Sequence, residues 1–96
     1  MNEPTITHVG QGTEGEYQAR VADSLAFGRL TYVRQGNVLT TEHTLVPTEI
    51  GGRGIAGKLV EALIADARAQ SWKIVPECSY IAAAFKRHPE WADLLA

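Results

Sequence analysis

One cysteine in 96 residues cannot close an internal disulfide, which excludes the disulfide-stapled scaffolds typical of small secreted proteins. No apolar run approaches the roughly 18 residues of a membrane-crossing helix. Residues 1–15 also lack the apolar core of a signal peptide. Nor does one sign of charge dominate. Nine Lys+Arg against eleven Asp+Glu leave a net charge of −2, which argues against a dedicated nucleic-acid-binding surface. The length leaves no room for a second domain. The expectation is therefore one cytoplasmic domain spanning residues 1–96, a monomer or weak dimer, with residues 1–15 a loose leader. His8, His43 and His88 stand in separate segments, and with a single cysteine no metal-ligand spacing is visible, so no metal is expected.

What is present is ordinary globular usage, with 45% hydrophobic and 21% charged residues. Charge is unevenly spread: six acids against three bases in residues 1–50, five acids against six bases in residues 51–96. An anionic ligand would favour the second half. Tyr17, Ala19 and Val21 alternate with Gln18, Arg20 and Ala22, the two-residue period of a half-buried strand. A turn is expected at Ala22-Asp23-Ser24. A second strand runs from Leu25 to Val33 and breaks at Arg34-Gln35-Gly36-Asn37; a third, Val38 to Val46, is halted by Pro47. Ile6 to Val9 is a candidate short edge strand.

The period then changes. Ile55, Leu59, Leu63 and Ala67 fall at four-residue steps, with Lys58, Glu61, Asp66 and Arg68 on the other face. This predicts an amphipathic helix of roughly four turns, ending near Gln70. Its left-handed terminus would suit glycine, yet Ser71 stands there. Trp72 to Val75 reads as a short strand before Pro76. Ser79 is placed to cap a second helix running towards Arg87, and His88-Pro89 ends it. Hairpin strands followed by strand–helix–strand predict an α+β fold with helices packed on a sheet.

The segment Val46-Pro47-Thr48-Glu49-Ile50-Gly51-Gly52-Arg53-Gly54-Ile55-Ala56-Gly57-Lys58 is the most informative. Its glycines let backbone approach a ligand closely, and the N–H groups opening the helix are unpaired donors at a positive dipole end. A phosphate or pyrophosphate suits that geometry, with Arg53 and Lys58 adding charge; the alternative is a loop whose glycines only relieve a tight turn. Gly52 to Gly57 satisfies G-x-G-x-x-G, and Glu77 lies 20 residues beyond Gly57, but hairpin strands precede it and five residues intervene after the strand. Gly52 to Lys58 matches G-x-x-x-x-G-K, but Leu59 stands where magnesium needs Ser or Thr. Both nucleotide motifs fail on context.

Arg53-Gly54-Ile55-Ala56, behind a strand ending in Val46-Pro47, resembles the coenzyme A pyrophosphate loop of GNAT-type N-acetyltransferases. Gly54 and Ala56 match the last two positions of Arg/Gln-x-x-Gly-x-Gly/Ala, and Gly51 replaces the first. The ordered blocks Glu42-His43-Thr44-Leu45-Val46-Pro47, Gly52-Arg53-Gly54-Ile55-Ala56, Ile74-Val75-Pro76-Glu77-Cys78-Ser79-Tyr80 and Arg87-His88-Pro89-Glu90-Trp91 resemble the small single-domain GNAT-like family. That resemblance covers Tyr17 to Leu95. It implies a shortened GNAT fold and acetyl-CoA as co-substrate, with an acetyl group passed to an amine on a small molecule or protein. Pyrophosphate would be held by Gly51, Gly52, Arg53, Gly54, Ile55, Ala56, Gly57 and Lys58. The pantetheine arm would lie along the main chain from His43 through Thr44, Leu45 and Val46. A non-catalytic acyl-CoA-binding module is the alternative, because so short a chain offers little wall for an acceptor.

Cys78 follows a strand and opens a helix, a position whose dipole favours thiolate. It could accept the acetyl group or protonate the leaving thiol; the competing reading is a small buried hydrophobe. Tyr80 is a second candidate acid. His43 alternates with Thr41 and Leu45, so it is expected on the strand face of Leu39 and Leu45, as a core histidine or as a base partnering Cys78. Glu42 faces the other way. Lys86 and Arg87 are candidates for the coenzyme's 3′-phosphate.

Overall fold

A computed structural model describes residues 3–96. Met1 and Asn2, the first residues of the expected leader, lie outside the described part. Five strands form one sheet in the order β1-β2-β3-β4-β5: β1 Thr5–Gln11, β2 Glu14–Arg20, β3 Phe27–Gln35, β4 Val38–Leu45 and β5 Lys73–Pro76. The first three pairings are antiparallel and β4–β5 is parallel. A parallel return needs a crossover, supplied here by helix α1, Ile55–Gln70. A second helix, α2, spans Ser79–Arg87, and 3-10 turns cover Thr48–Ile50 and Pro89–Leu94.

The alternation in residues 17–21 does place one side inward, as Tyr17, Ala19 and Val21 are all buried. Leu30, Leu39, Ile74, Leu59, Leu63 and Ile81 complete a single core between the sheet and the helices. Gly28 lets α1 settle closely, since a Cβ there would stand 3.0 Å from Ile55 Cγ2 and 3.3 Å from Leu59 Cδ1. The helices lie side by side on this face, with Gly57, Val60 and Glu61 across a small cleft from Tyr80, Ala84 and Arg87. Among the described residues, no helix covers the other face. No helix among the described residues is long and apolar enough to cross a membrane.

One local expectation changes, and two are filled in. Residues 5–11 form a full edge strand rather than a loose leader, because all seven pair with β2 and His8 stacks on Tyr17 at 4.3 Å. Ser71 does take the left-handed conformation, with φ of 60°, while Trp72 N donates to Ala67 O at 2.9 Å to close the helix. The run after α2 also has a structural role: His88 stacks on Trp91 at 4.0 Å and pairs with Glu90 at 2.9 Å. Trp91 in turn packs edge-on against Phe85.

The decisive irregularity is in β4. Thr31 pairs with His43, but the next residue, Tyr32, pairs with Thr41, so Glu42 is an extra residue and β4 is bulged there. A bulge resets the two-residue alternation. Leu39, Thr41 and Thr44 therefore share the helix-covered face, whereas His43 and Leu45 point to the open one.

Candidate active site

Pairing between β4 and β5 runs from Val38↔Lys73 to Thr41↔Pro76 and stops. Beyond it the two chains part, leaving residues 42–45 with no β5 partner. The last tie is Cys78 N donating to Thr41 O at 3.1 Å. Cys78 stands where the strands separate and is the N-cap residue of α2 (φ −69°, ψ 125°), one position ahead of the expected Ser79. The residue is buried at 8% exposure, and its Sγ lies 3.3 Å from Thr44 Oγ1.

That setting favours the thiolate. Burial opposes ionisation, but the Thr44 hydroxyl and the main-chain N–H groups of Ile81, Tyr80 and Thr44 outweigh it. The result is a thiol held below its ordinary pKa. Cys78 thus sits at the positive end of α2, whose first amides favour its charged form. A buried hydrophobe would show only the opposing, upward influence.

The expected partnership of His43 with Cys78 does not form. The bulge turns His43 to the open face, and Thr44 takes the place beside the sulfur. His43 instead lines an open depression of about 630 Å³ with Val9, Glu16, Arg29, Thr31 and Leu45. Arg29 donates to Glu16 there at 2.6 Å, and Thr31 Oγ1 is buried without a hydrogen-bond partner among the described residues.

The glycine-rich loop opens α1 as anticipated. Gly52 and Gly54 have φ of 77° and 72°, and a Cβ on either would meet no atom within 4 Å. Gly54 is the N-cap residue and no side chain caps the helix. Neither glycine is crowded, and the loop stands at the positive end of a 16-residue helix. A phosphate-bearing ligand fits that cradle through main-chain donors. Ile55 is buried, so only its backbone is available to a ligand.

Both loop cations are engaged. Arg53 makes a two-pronged contact with Asp23, at 2.9 and 3.1 Å, and Lys58 lies 3.7 Å from Glu3 and 4.0 Å from Glu61. Sequence reasoning missed Asp23 because its partner is 30 residues away. Tyr80 and Arg87 face Gly57 across the inter-helix cleft, with Ala84, His88 and Trp91. Among the described residues, no group of three or more His, Cys, Asp or Glu is placed to hold a metal ion.

A family profile of the GCN5-related N-acetyl-transferases matches residues 16–94, from the start of the β2–β3 hairpin to the closing 3-10 turn. The chain belongs to this family. Acyl transfer is the chemistry that goes with membership, and the chain is an N-acetyltransferase in that sense. A GCN5-like protein from Staphylococcus aureus, solved in solution, superimposes with a TM-score of 0.66 at 24% identity, over 94% of this chain and 87% of that one. That likeness bears on the fold: a shortened GNAT sheet with its helices packed on it. In this GCN5-related acetyltransferase, the thiol, the Thr44 hydroxyl and the N-terminus of α2 meet where β4 parts from β5.

Proposed function

We propose that the protein transfers an acetyl group from acetyl-CoA to an amine, with Cys78 at the centre of the reaction. The observation that carries this reading is the burial of Cys78 against Thr44 where β4 and β5 part, in a setting that lowers its pKa. Acetyl-CoA would supply an activated thioester. Main-chain donors of residues 52–57 would hold its pyrophosphate, with charge from Arg53 and Lys58; Gly51 N–H and Lys58 N–H are already given to Thr48 O and Gly54 O. The strand edge of Thr44, Leu45 and Val46, which has no β5 partner, would align the pantetheine arm and face the developing oxyanion.

Cys78 acts at Sγ in one of two ways. As thiolate, Sγ bonds the acetyl carbon while the thioester C–S bond breaks and CoA leaves as thiolate, and the amine then displaces Sγ. As thiol, it gives its proton to the CoA sulfur expelled by direct amine attack. Thr44 serves either role by hydrogen-bonding the sulfur. His43 works from the opposite face, where the depression beside Glu42 is open to an acceptor. An imidazole there can take the proton that an acceptor ammonium must lose before its free amine attacks the acetyl carbon.

Intact-mass measurement after mixing with acetyl-CoA tests this directly. A single acetyl adduct, absent from Cys78→Ala, supports acceptance by Cys78. Transfer to an amine panel without an adduct supports direct attack. Neither adduct nor transfer, with CoA still bound, would leave an acyl-CoA-binding module and overturn the enzymatic reading.

A further inference from the structure

We propose that Asp23 competes with the phosphates of the donor for Arg53, so that one exposed carboxylate limits how tightly the loop takes its ligand. The inference rests on residues 51–58 being the pyrophosphate site. Arg53 stands between the two left-handed glycines, Gly52 and Gly54, within the proposed phosphate loop. Its guanidinium presents a flat fork of donors that matches a carboxylate or a phosphate with the same two-pronged geometry. In the structure that fork is filled: Nη1 and Nη2 donate to the two Asp23 carboxylate oxygens at 2.9 and 3.1 Å.

Asp23 belongs to the turn between β2 and β3, a segment otherwise unconnected in sequence to the loop. Its side chain is half exposed and that of Arg53 is 38% exposed, so the pair is open to solvent and to a competing anion. Solvent-exposed ion pairs are weak and exchange readily, whereas a pyrophosphate brings more charge and meets loop amides as well. Lys58 is held only loosely, at 3.7 Å from Glu3 and 4.0 Å from Glu61. The closer of the restraints on the loop's charge is therefore the Asp23 contact. Ligand entry must either break it or do without Arg53.

Titration calorimetry with CoA, and separately with inorganic pyrophosphate, tests this on the full chain. Asp23→Asn keeps the size of the side chain and removes its charge. We expect it to bind CoA about two- to fivefold more tightly than wild type, the range set by one exposed pair. The gain should vanish when Arg53→Gln is added, and shrink as salt rises. Wild type binding CoA with Asp23→Asn no tighter, or weaker, would overturn the competition and make the pair a brace for the loop; the pyrophosphate reading would stand. An equal gain in the Arg53→Gln background would overturn it as well, leaving only a long-range charge effect. Neither protein binding CoA or pyrophosphate would remove both ideas together. Cooperative thermal unfolding of each variant confirms that a folded chain was measured.

Discussion

Two glycines with matched backbones allow strain to be separated from ligand binding. Gly54 has φ of 72° at the start of α1, Gly36 has φ of 61° in the β3–β4 turn, and a Cβ on either would meet no atom within 4 Å. Alanine at each therefore adds no clash and costs only the left-handed backbone, about 1–2 kcal/mol. In a domain this small, 1 kcal/mol moves the thermal midpoint by roughly 4–8 °C, so both variants should melt several degrees early and by similar amounts. Their ligand binding should differ. The open space at Gly54 is where a phosphate would sit, so a methyl there separates phosphate from a main-chain donor. Loss of one charge-assisted hydrogen bond, about 1.5–3 kcal/mol, corresponds to roughly ten- to a hundredfold in Kd. Calorimetry with CoA, well below both midpoints, should find Gly36→Ala equal to wild type and Gly54→Ala weakened by that factor. Equal affinity in all three proteins would place the pyrophosphate elsewhere. Equal weakening in both variants would mean that strain, not contact, governs binding.

Three further outcomes follow from the geometry. Thr44→Val removes the hydroxyl beside Cys78 Sγ, so the pH midpoint of Cys78 alkylation should rise from a wild-type value below that of a free thiol; an unmoved midpoint would deny Thr44 its role. His43→Gln should leave that alkylation profile untouched, because the bulge at Glu42 turns residue 43 away, yet slow acetylation of an amine roughly a hundredfold or more; an altered alkylation profile would contradict the assigned face. Tyr17 donates to Asp66 at 2.7 Å, so Tyr17→Phe should lower stability by about 1 kcal/mol in urea titrations near neutrality. Burial first, then the Asp66 carboxylate, hold the Tyr17 phenol above its ordinary range. Its contribution is thus complete below about pH 10, where unfolded tyrosine stays neutral, and is lost as pH rises further. Above that pH wild type should lose stability more steeply than Tyr17→Phe, and parallel slopes would refute the account.

Much of the architecture could be read locally. The four-residue spacing of Ile55, Leu59, Leu63 and Ala67 marks the buried stripe of α1, and all four are buried. The glycines at 52 and 54 occupy left-handed positions at the helix start, and Cys78 opens α2. Such features depend on neighbours a few residues away, so composition and period suffice to find them. The faces of β4 were not legible in this way. Alternation presumes an unbroken ladder, and the extra residue at Glu42 exists only because β3 and β4 pair on both sides of it.

By itself, the sequence determined the helix period, the glycine loop, the solitary thiol and the family those motifs resemble. Tertiary structure alone decided which groups meet: Thr44 rather than His43 at Cys78, Asp23 on Arg53, and Tyr17 on Asp66. Each of those contacts spans 30 or more residues. The physical reason is that side-chain direction along a strand is set by cross-strand pairing, and that charges distant in the chain find one another only after the sheet and helices have packed.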